Sequence, residues 1–230
     1  MELLKSLGFI AGSYLVGAIP FCYVLGKLVS GKKLTEIGDK NPGGWNLVFN
    51  VSKFWGFVGI MLDMAKGYFA YFLAFLFTGD WFLGALGTYH NQLIAILAGC
   101  AAVAGHNYPP YMKFKGGKGI ATWGGFVIAA HYISLPFGAI GHLYGLLIAA
   151  AGLLAGLLFA RNMIWSISLG IIFSGISLWL FSGSAVFLAS IIILLIIMIP
   201  RQINRSISLG LNFKFRKEAT LGDLFKPKIR

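Results

Sequence analysis

A cluster of glycine and lysine residues near the middle of the chain has the composition of a phosphate-binding loop. The segment 114–119 reads Phe-Lys-Gly-Gly-Lys-Gly and directly precedes an apolar stretch that predicts a helix. Glycines expose successive backbone N–H groups, and the start of a helix adds favourable partial charge for an anion. Lys115 and Lys118 would add formal positive charge. The segment therefore predicts a phosphate site, with a flexible, positively charged turn as the alternative.

A second cluster of glycine and amide side chains lies in the segment 38–46, which reads Gly-Asp-Lys-Asn-Pro-Gly-Gly-Trp-Asn. Asn41 and Asn46 can both donate and accept hydrogen bonds, which suits a phosphate or a hydroxyl group. By itself the segment is also typical of a plain turn-rich loop. If both clusters lie on one face of the molecule, they could together enclose a small phosphorylated substrate.

Three ionisable residues combine charge with an apolar setting. Asp63 and Lys66 are three residues apart in an otherwise apolar stretch, so they can meet as an ion pair on one helix. Charges in such a stretch are costly and are candidates for function, although a mutually neutralising pair can simply brace the helices. His106 stands beside the glycine–lysine cluster and could act as a base or as a hydrogen-bond donor.

Several familiar catalytic and cofactor motifs are absent from the sequence. The chain has no Gly-x-Ser-x-Gly segment and no histidine with an aspartate after four intervening residues. Residues 26–32 have the spacing of a P-loop, but Lys33 replaces the required hydroxyl residue. Cys22 and Cys100 lack the spacing of a metal site.

The elements that position these residues follow from the composition. Of the 230 residues, 58% are apolar by type and 11% are charged, whereas soluble domains have about 25% charged residues. Uncharged stretches cover residues 6–26, 81–112, 119–160 and 162–200, and about 20 residues suffice to cross a bilayer. A soluble globule, a disordered chain and a secreted disulfide scaffold are excluded. The sequence predicts an all-α polytopic membrane protein with one membrane domain, residues 1–230.

Turn signals divide the longest apolar stretches into separate helices. Two of the stretches are too long for one span and about right for two, with breaks at 134–138 and 182–184. Another helix includes Asp63 and Lys66. We expect seven transmembrane helices, over residues 6–28, 54–79, 88–105, 118–134, 138–160, 163–181 and 184–200.

Positive charge marks one side of the predicted membrane domain. Lys and Arg residues occur in the first, third and fifth connections and in the basic tail 201–230, whereas the other connections contain none. Cytoplasmic loops collect such residues, so we expect the N-terminus outside and the C-terminus in the cytoplasm. The net charge of +12 is then mostly a topology signal that also attracts anionic lipids. No aromatic-basic module predicts nucleic-acid binding.

In their order along the chain, these segments resemble the bacterial acyl-phosphate-dependent glycerol-3-phosphate acyltransferases of the PlsY type. The similar segments are residues 17–21 with Gly26 and Lys27, Asp63 with Lys66 and Gly67, residues 105–109, and, nearly residue for residue, residues 114–122. The resemblance implies seven helices and an active site on the cytoplasmic side of the bacterial inner membrane. It also implies acyl transfer from acyl phosphate to the 1-hydroxyl of glycerol 3-phosphate, which gives lysophosphatidic acid.

The resemblance implies roles for individual residues. The expected catalytic residues are Asn41, His106 and Lys118. The expected substrate-binding residues are Asp39, Lys40, Gly43, Asn46, Lys115, Gly116, Gly117, Gly119, Thr122, Arg201 and Asn204. The expected partners are glycerol 3-phosphate, acyl phosphate and membrane lipids, without a metal, an organic cofactor or nucleic acid.

The chain departs from the family pattern in two motifs. The family's first loop usually has a serine where Asp39 stands and an arginine where Phe49 stands. The third motif, usually His-Arg followed by asparagine, is represented by Pro200, Arg201 and Asn204 with a shifted spacing. A catalytically altered relative that binds lipid or phosphate is therefore an alternative function. A small-solute transporter is a third, although the spans offer few polar residues for a path.

Overall fold

The computed structural model describes residues 2–77, 84–134, 138–160 and 163–208. The regular structure in these ranges is helical. The helices are α1 (Glu2–Ala18), α2 (Phe21–Ser30), α3 (Gly44–Asn50), α4 (Lys53–Phe77), α5 (Gly84–Asn107), α6 (Ile120–Ser134), α7 (Gly138–Ala155), α8 (Met163–Ser182) and α9 (Val186–Ser208). A 3₁₀ turn at Pro110–Met112 follows α5, and a π turn at Gly156–Ala160 follows α7.

The long helices have the composition of membrane spans. In the described ranges, five helical segments are long and apolar enough to cross a bilayer: Leu3–Ser30, Lys53–Phe77, His142–Phe159, Met163–Ser182 and Val186–Asn204. The apolar part of α6 is shorter, and α5 has lower hydropathy because its sequence includes polar residues such as Gln92, His106 and Asn107. The structure confirms a helical protein with several candidate spans. The count of seven crossings and the sides of the two termini stay predictions.

The first predicted span, residues 6–28, is not one continuous helix. It is divided into α1 and α2 at Ile19 and Pro20, and Pro20 precedes the first residue of α2. Proline has no backbone N–H and its ring disrupts the preceding helical turn, so the expectation of an unbroken helix is corrected here. The interruption leaves carbonyl groups of the α1 end without helical partners.

Two other predicted boundaries also change. The first connection, expected as a loop, contains the short helix α3. The last span, expected to end at Pro200, continues as α9 to Ser208, so the first eight residues of the expected tail are helical. A proline inside an apolar helix loses one hydrogen bond, and membrane helices tolerate this loss. The rest of the predicted tail, 209–230, lies outside the described residues.

The chain divides into two compact units, Met1–Ile133 and Ser134–Arg230. In the first unit, α1 packs against α5 and α4, and α4 also contacts α2, α3 and α5. In the second unit, α8 packs against α7 and α9. The prediction of a single membrane domain stays a prediction. Almost all of the predicted site residues belong to the first unit.

Glycine allows the helices of the first unit to approach with their backbones in contact. Cβ atoms added at Gly67 of α4 and Gly125 of α6 would overlap backbone atoms of Thr122 and Met64, respectively. Because two glycines face the opposite helix in this way, α4 and α6 are held at a distance that only small residues permit. The contact places the start of α6 directly against the helix that carries Asp63 and Lys66.

We expect Gly125→Ala to destabilise the protein by about 1–3 kcal/mol, because the added methyl group meets backbone that cannot rotate away. Gly124→Ala is the matched control, since a Cβ at Gly124 has no heavy atom within 4 Å. Thermal unfolding of the two variants in the same detergent measures the difference. Equal unfolding midpoints would show that the contact of α4 with α6 is not tight.

Candidate active site

A buried ion pair lies where α1 and α2 separate. Lys66 Nζ is 2.8 Å from Asp63 Oδ1, and the two side chains are 2% and 3% exposed. The ammonium also donates hydrogen bonds to the carbonyls of Gly17 (2.9 Å) and Ile19 (2.8 Å), which the break at Pro20 makes available. A buried charge needs such a complete set of partners. The pair thus joins α4 to the end of α1.

His106 and Cys22 complete this buried network. The Nδ1 atom of His106 is 3.2 Å from Lys66 Nζ and 3.6 Å from Asp63 Oδ1. The thiol of Cys22 donates to Asp63 Oδ2 at 3.0 Å. The sequence predicted the ion pair and singled out His106 separately. It did not predict their contact or the part of Cys22, because the partners are 40 or more residues apart.

The glycine–lysine segment folds back onto the end of α5. The backbone N–H of Gly116 donates to the Asn107 carbonyl and that of Gly117 to the His106 carbonyl, both at 3.0 Å. These N–H groups are therefore engaged within the protein and do not form the expected anion nest. A Cβ at Gly117 would overlap the His106 ring, so the absence of a side chain there makes room for the imidazole.

A cleft opens between this segment, the first loop and the break between α1 and α2. Its lining atoms border about 220 Å³ of space that includes open solvent, and little of this space is enclosed. Its lining residues are Gly17, Ala18, Ile19, Pro20, Pro42, Asp63, His106, Pro109, Met112, Gly116 and Gly117. The cleft therefore has mainly apolar walls, with one carboxylate and one imidazole among the lining groups. Such a combination suits a substrate with both an apolar and a polar part.

The two predicted loops meet beside this cleft. Lys118 Nζ is 3.7 Å from Asp39 Oδ2, and the side chains are 21% and 16% exposed. The other oxygen of Asp39 accepts a hydrogen bond from the Asn41 backbone N–H at 3.1 Å. The structure thus brings the glycine–lysine segment and the first loop together, and one of the predicted cations lies next to a carboxylate.

A comparison with known families covers most of the chain. A family model described as glycerol-3-phosphate acyltransferase matches residues 7–208. The chain belongs to the glycerol-3-phosphate acyltransferase family. It is therefore an acyltransferase, which agrees with the resemblance described from its motifs.

Named relatives and solved structures agree with this membership. The chain is 33% identical over 162 residues to glycerol-3-phosphate acyltransferase of Thermotoga petrophila, covering 70% of this chain and 76% of the relative. It is 40% identical over 129 residues to that of Dinoroseobacter shibae, covering 56% and 58% of the two chains. It also resembles crystal structures of PlsY (YgiH), an integral membrane glycerol 3-phosphate acyltransferase. The glycerol 3-phosphate form matches with a TM-score of 0.67 and 26% identity, covering 92% and 96% of the two chains. The lysophosphatidic acid form, at 24% identity and a TM-score of 0.65, shares the fold.

The first loop of this acyltransferase is held in place by Asn46. Its amide group donates to the carbonyls of Leu34 (2.7 Å), Ile37 (3.0 Å) and Asn41 (2.9 Å). Its side-chain oxygen accepts from Asn50 at 2.8 Å, and the residue is 2% exposed. These contacts give Asn46 a clear structural role. Its predicted contact with substrate stays a prediction.

Asn41 is buried like Asn46, but its side chain lacks the hydrogen bonds that hold Asn46. The residue is 6% exposed, and its amide makes no hydrogen bond within the part of the chain that the structure describes. Gly43, just before α3, lies beside this amide: a Cβ there would be 3.2 Å from Asn41 Nδ2. Because Asn41 is buried and is not among the residues that line the cleft, its predicted contact with substrate stays a prediction.

The remaining predicted site residues differ in their exposure to solvent. Lys40 and Lys115 are exposed, whereas Gly119 and Thr122 are buried at the start of α6. In the described part of the chain, the Thr122 hydroxyl has no hydrogen-bond partner. Two more predicted residues, Arg201 and Asn204, lie on α9 in the second unit, and their substrate contacts stay predictions.

Tyrosines support the segment that precedes the glycine–lysine cluster. The Tyr14 hydroxyl of α1 donates to the Tyr108 carbonyl at 2.7 Å. Partial burial, together with the nearby Tyr14, raises the pKa of the Tyr111 hydroxyl. The hydrogen bond from Tyr14 joins α1 to the chain just after His106. Among the described residues, no group of three or more His, Cys, Asp or Glu side chains is arranged to hold a metal ion.

Proposed function

We propose that the protein transfers an acyl chain from acyl phosphate to the 1-hydroxyl of glycerol 3-phosphate and so produces lysophosphatidic acid. Family membership and the similarity to PlsY in its glycerol 3-phosphate form support the acceptor. The observation that carries the proposal is the meeting of the glycine–lysine segment with the first loop beside one cleft. In the predicted topology, this site faces the cytoplasm at the bacterial inner membrane.

The reaction requires alignment and charge stabilisation more than covalent catalysis. The glycerol hydroxyl oxygen attacks the acyl carbonyl carbon, and the bond from this carbon to the phosphate oxygen breaks. Inorganic phosphate leaves and takes up the proton of the hydroxyl group. Because phosphate is a good leaving group, no acyl-enzyme is needed, and a fixed array of donors and cations can lower the barrier.

Named groups of the first unit suit these tasks. Lys118 is the partly buried cation beside the cleft, and the exposed Lys40 and Lys115 can approach a phosphate from solvent. The Asn41 amide can orient a substrate oxygen. The apolar cleft wall, which includes Met112, suits the start of an acyl chain. The remainder of this chain would lie between helices, open to the bilayer.

One observation favours the second candidate, a relative that binds phosphate or lipid without turnover. The Asp39 carboxylate lies 3.7 Å from the cation expected to hold substrate phosphate. It therefore opposes the binding of a dianion at Lys118. If this repulsion is strong, the site would retain only weak binding. If it is modest, catalysis persists with a raised KM.

We expect the modest case, so Asp39→Asn should lower the KM for glycerol 3-phosphate by about two- to fivefold. Partly exposed ion pairs contribute up to about 1 kcal/mol, which corresponds to this range. Glu36→Gln is the matched control, because Glu36 lies in the same loop but pairs with Lys33 at 2.9 Å on the surface. Steady-state kinetics of both variants test the expectation. An unchanged or higher KM for Asp39→Asn would contradict it.

The direct test is to incubate the purified protein, in detergent or lipid, with acyl phosphate and labelled glycerol 3-phosphate. We expect labelled lysophosphatidic acid in amounts well above those from the Lys118→Ala variant. An active family member, assayed in parallel, validates the substrates. No product above that variant would favour the binding protein, and uptake of a phosphorylated solute into proteoliposomes would favour a transporter.

A further inference from the structure

The imidazole of His106 lies between the buried ion pair and the cleft. We propose that Lys66 is a positioning residue that holds His106 as the neutral tautomer with its proton on Nε2. In this form His106 donates a hydrogen bond into the cleft and does not act as a general base. The donor role in catalysis rests on the proposed function, whereas the tautomer itself does not.

The hydrogens of the Lys66 ammonium limit which tautomer His106 can adopt. Nζ has four polar atoms within 3.2 Å: the Gly17 and Ile19 carbonyl oxygens, Asp63 Oδ1 and His106 Nδ1. An ammonium group has three hydrogens and can only donate. If His106 Nδ1 carried a hydrogen, two hydrogen-bond donors, this N–H and the Lys66 ammonium, would face each other. The favourable arrangement presents the Nδ1 lone pair to Lys66.

The carboxylate of Asp63 does not offer Nδ1–H a comparable partner. Its Oδ1 atom is 3.6 Å from His106 Nδ1, beyond a good hydrogen bond. The same oxygen is the ion-pair partner of Lys66 at 2.8 Å, although it accepts no hydrogen bond among the described residues, and Oδ2 accepts from the Cys22 thiol. A charged imidazolium would place two cations 3.2 Å apart with one carboxylate to neutralise them. The distances from Nδ1 to Lys66 and Asp63 therefore favour the arrangement in which the proton of the ring is on the other nitrogen.

That other nitrogen faces the glycine segment of the cleft. A Cβ added at Gly117 would overlap His106 Nε2, and both residues line the cleft together with Gly116. An Nε2–H group directed there can donate to a phosphate or carbonyl oxygen of a substrate. A protonated Nε2 has no lone pair, so it cannot accept the proton of an attacking hydroxyl.

The tautomer can be measured without any assay of activity. We expect the nitrogen NMR spectrum of the full-length protein, with ¹⁵N-labelled histidine rings, to show a protonated Nε2 and an unprotonated Nδ1 for His106. Comparison with His106→Gln assigns the signals. Protonation at Nδ1, or at both nitrogens, would overturn the proposal even if the protein proves to be an active acyltransferase.

Two variants test whether Lys66 sets the tautomer. Asp63→Asn keeps the Lys66 side chain beside Nδ1 and should leave the proton on Nε2. Lys66→Met removes the donor to Nδ1 and should allow an Nδ1–H population to appear. If Lys66→Met does not fold, the Asp63→Asn variant still tests the proposal. A shift of the His106 proton to Nδ1 in that variant would show that Asp63 sets the tautomer, which would contradict the proposal.

The role as a donor is tested by conservative substitution of His106. Glutamine can present an N–H group where His106 has Nε2–H, whereas leucine cannot. We expect His106→Gln to retain activity within about tenfold of the unsubstituted protein and His106→Leu to lose about 10²-fold. Equal losses in the two variants, at equal unfolding midpoints, would contradict the donor role. A normal NMR result with no activity in any form would instead count against the proposed function alone.

Discussion

Replacing Lys118 with alanine is expected to lower kcat/KM for glycerol 3-phosphate by about 10²–10³-fold, because the variant lacks a fixed cation beside the cleft. Among the three lysines expected to bind phosphate, Lys118 is the partly buried one, at 21% exposure. Lys40 and Lys115 are exposed and hydrated, so their attraction for an anion is weaker. A charge with restricted access to water acts more strongly on a bound phosphate than a charge in solvent does.

Two further variants make this experiment specific. Lys118→Arg keeps the charge and should retain more activity than Lys118→Ala. Lys53→Ala removes an exposed lysine at the start of α4 and should leave activity unchanged. Kinetics with labelled glycerol 3-phosphate, at matched amounts of folded protein, measure all three. Activity of Lys118→Ala within threefold of the unsubstituted protein would remove Lys118 from the proposed site.

The largest effect on stability is expected for Lys66→Met. This change leaves the Asp63 carboxylate buried without its cation, and it removes the donor to the Gly17 and Ile19 carbonyls. Breaking a buried pair in this way costs about 3–5 kcal/mol. For a chain of this size, the loss corresponds to a fall of roughly 6–20 °C in the unfolding midpoint. Thermal unfolding in a single detergent measures the shift.

A double-variant cycle separates the buried charge from general packing. Asp63→Asn combined with Lys66→Met removes both charges, so it should be less destabilised than Lys66→Met alone. Lys33→Met is the surface control, because its ion pair with Glu36 is more than half exposed. It should change stability by less than about 1 kcal/mol. A double variant as unstable as the sum of its parts would show that Asp63 and Lys66 do not interact.

Helix existence could be predicted from the sequence because an apolar segment of membrane length has few alternatives to a helix. The second predicted span, 54–79, is an example, since α4 runs from Lys53 to Phe77. Proline positions show the limit of such local reasoning. Pro20 separates two helices, whereas Pro200 lies inside α9. At Pro20, the carbonyls near the break are bonded by Lys66 from another helix, and no local pattern contains that contact.

In the candidate site, too, the sequence predicted the local features, whereas the contacts between distant residues appeared only in the structure. Composition identified both polar loops, and the structure places Lys118 beside Asp39 as their meeting point. Composition also favoured Gly116 and Gly117 as anion-binding N–H groups, but both donate to carbonyls at the end of α5. Whether a backbone N–H is free depends on which carbonyl lies opposite after folding. Glycine content alone does not show which backbone N–H groups are free.

The sequence by itself determined the helical membrane class, the approximate positions of the long helices and the two polar segments, because hydropathy, charge and glycine content act locally. Only the tertiary structure decided that Lys66 lies among Asp63, His106 and two carbonyls of the first helix region. The physical reason is the close approach of the backbones of α1 and α5 at Gly17 and Gly105, where an added Cβ would overlap backbone atoms of Ala102 and Tyr14. This packing brings together residues that are 40 or more positions apart. Because these residues are buried, the loss of one partner strongly destabilises the protein.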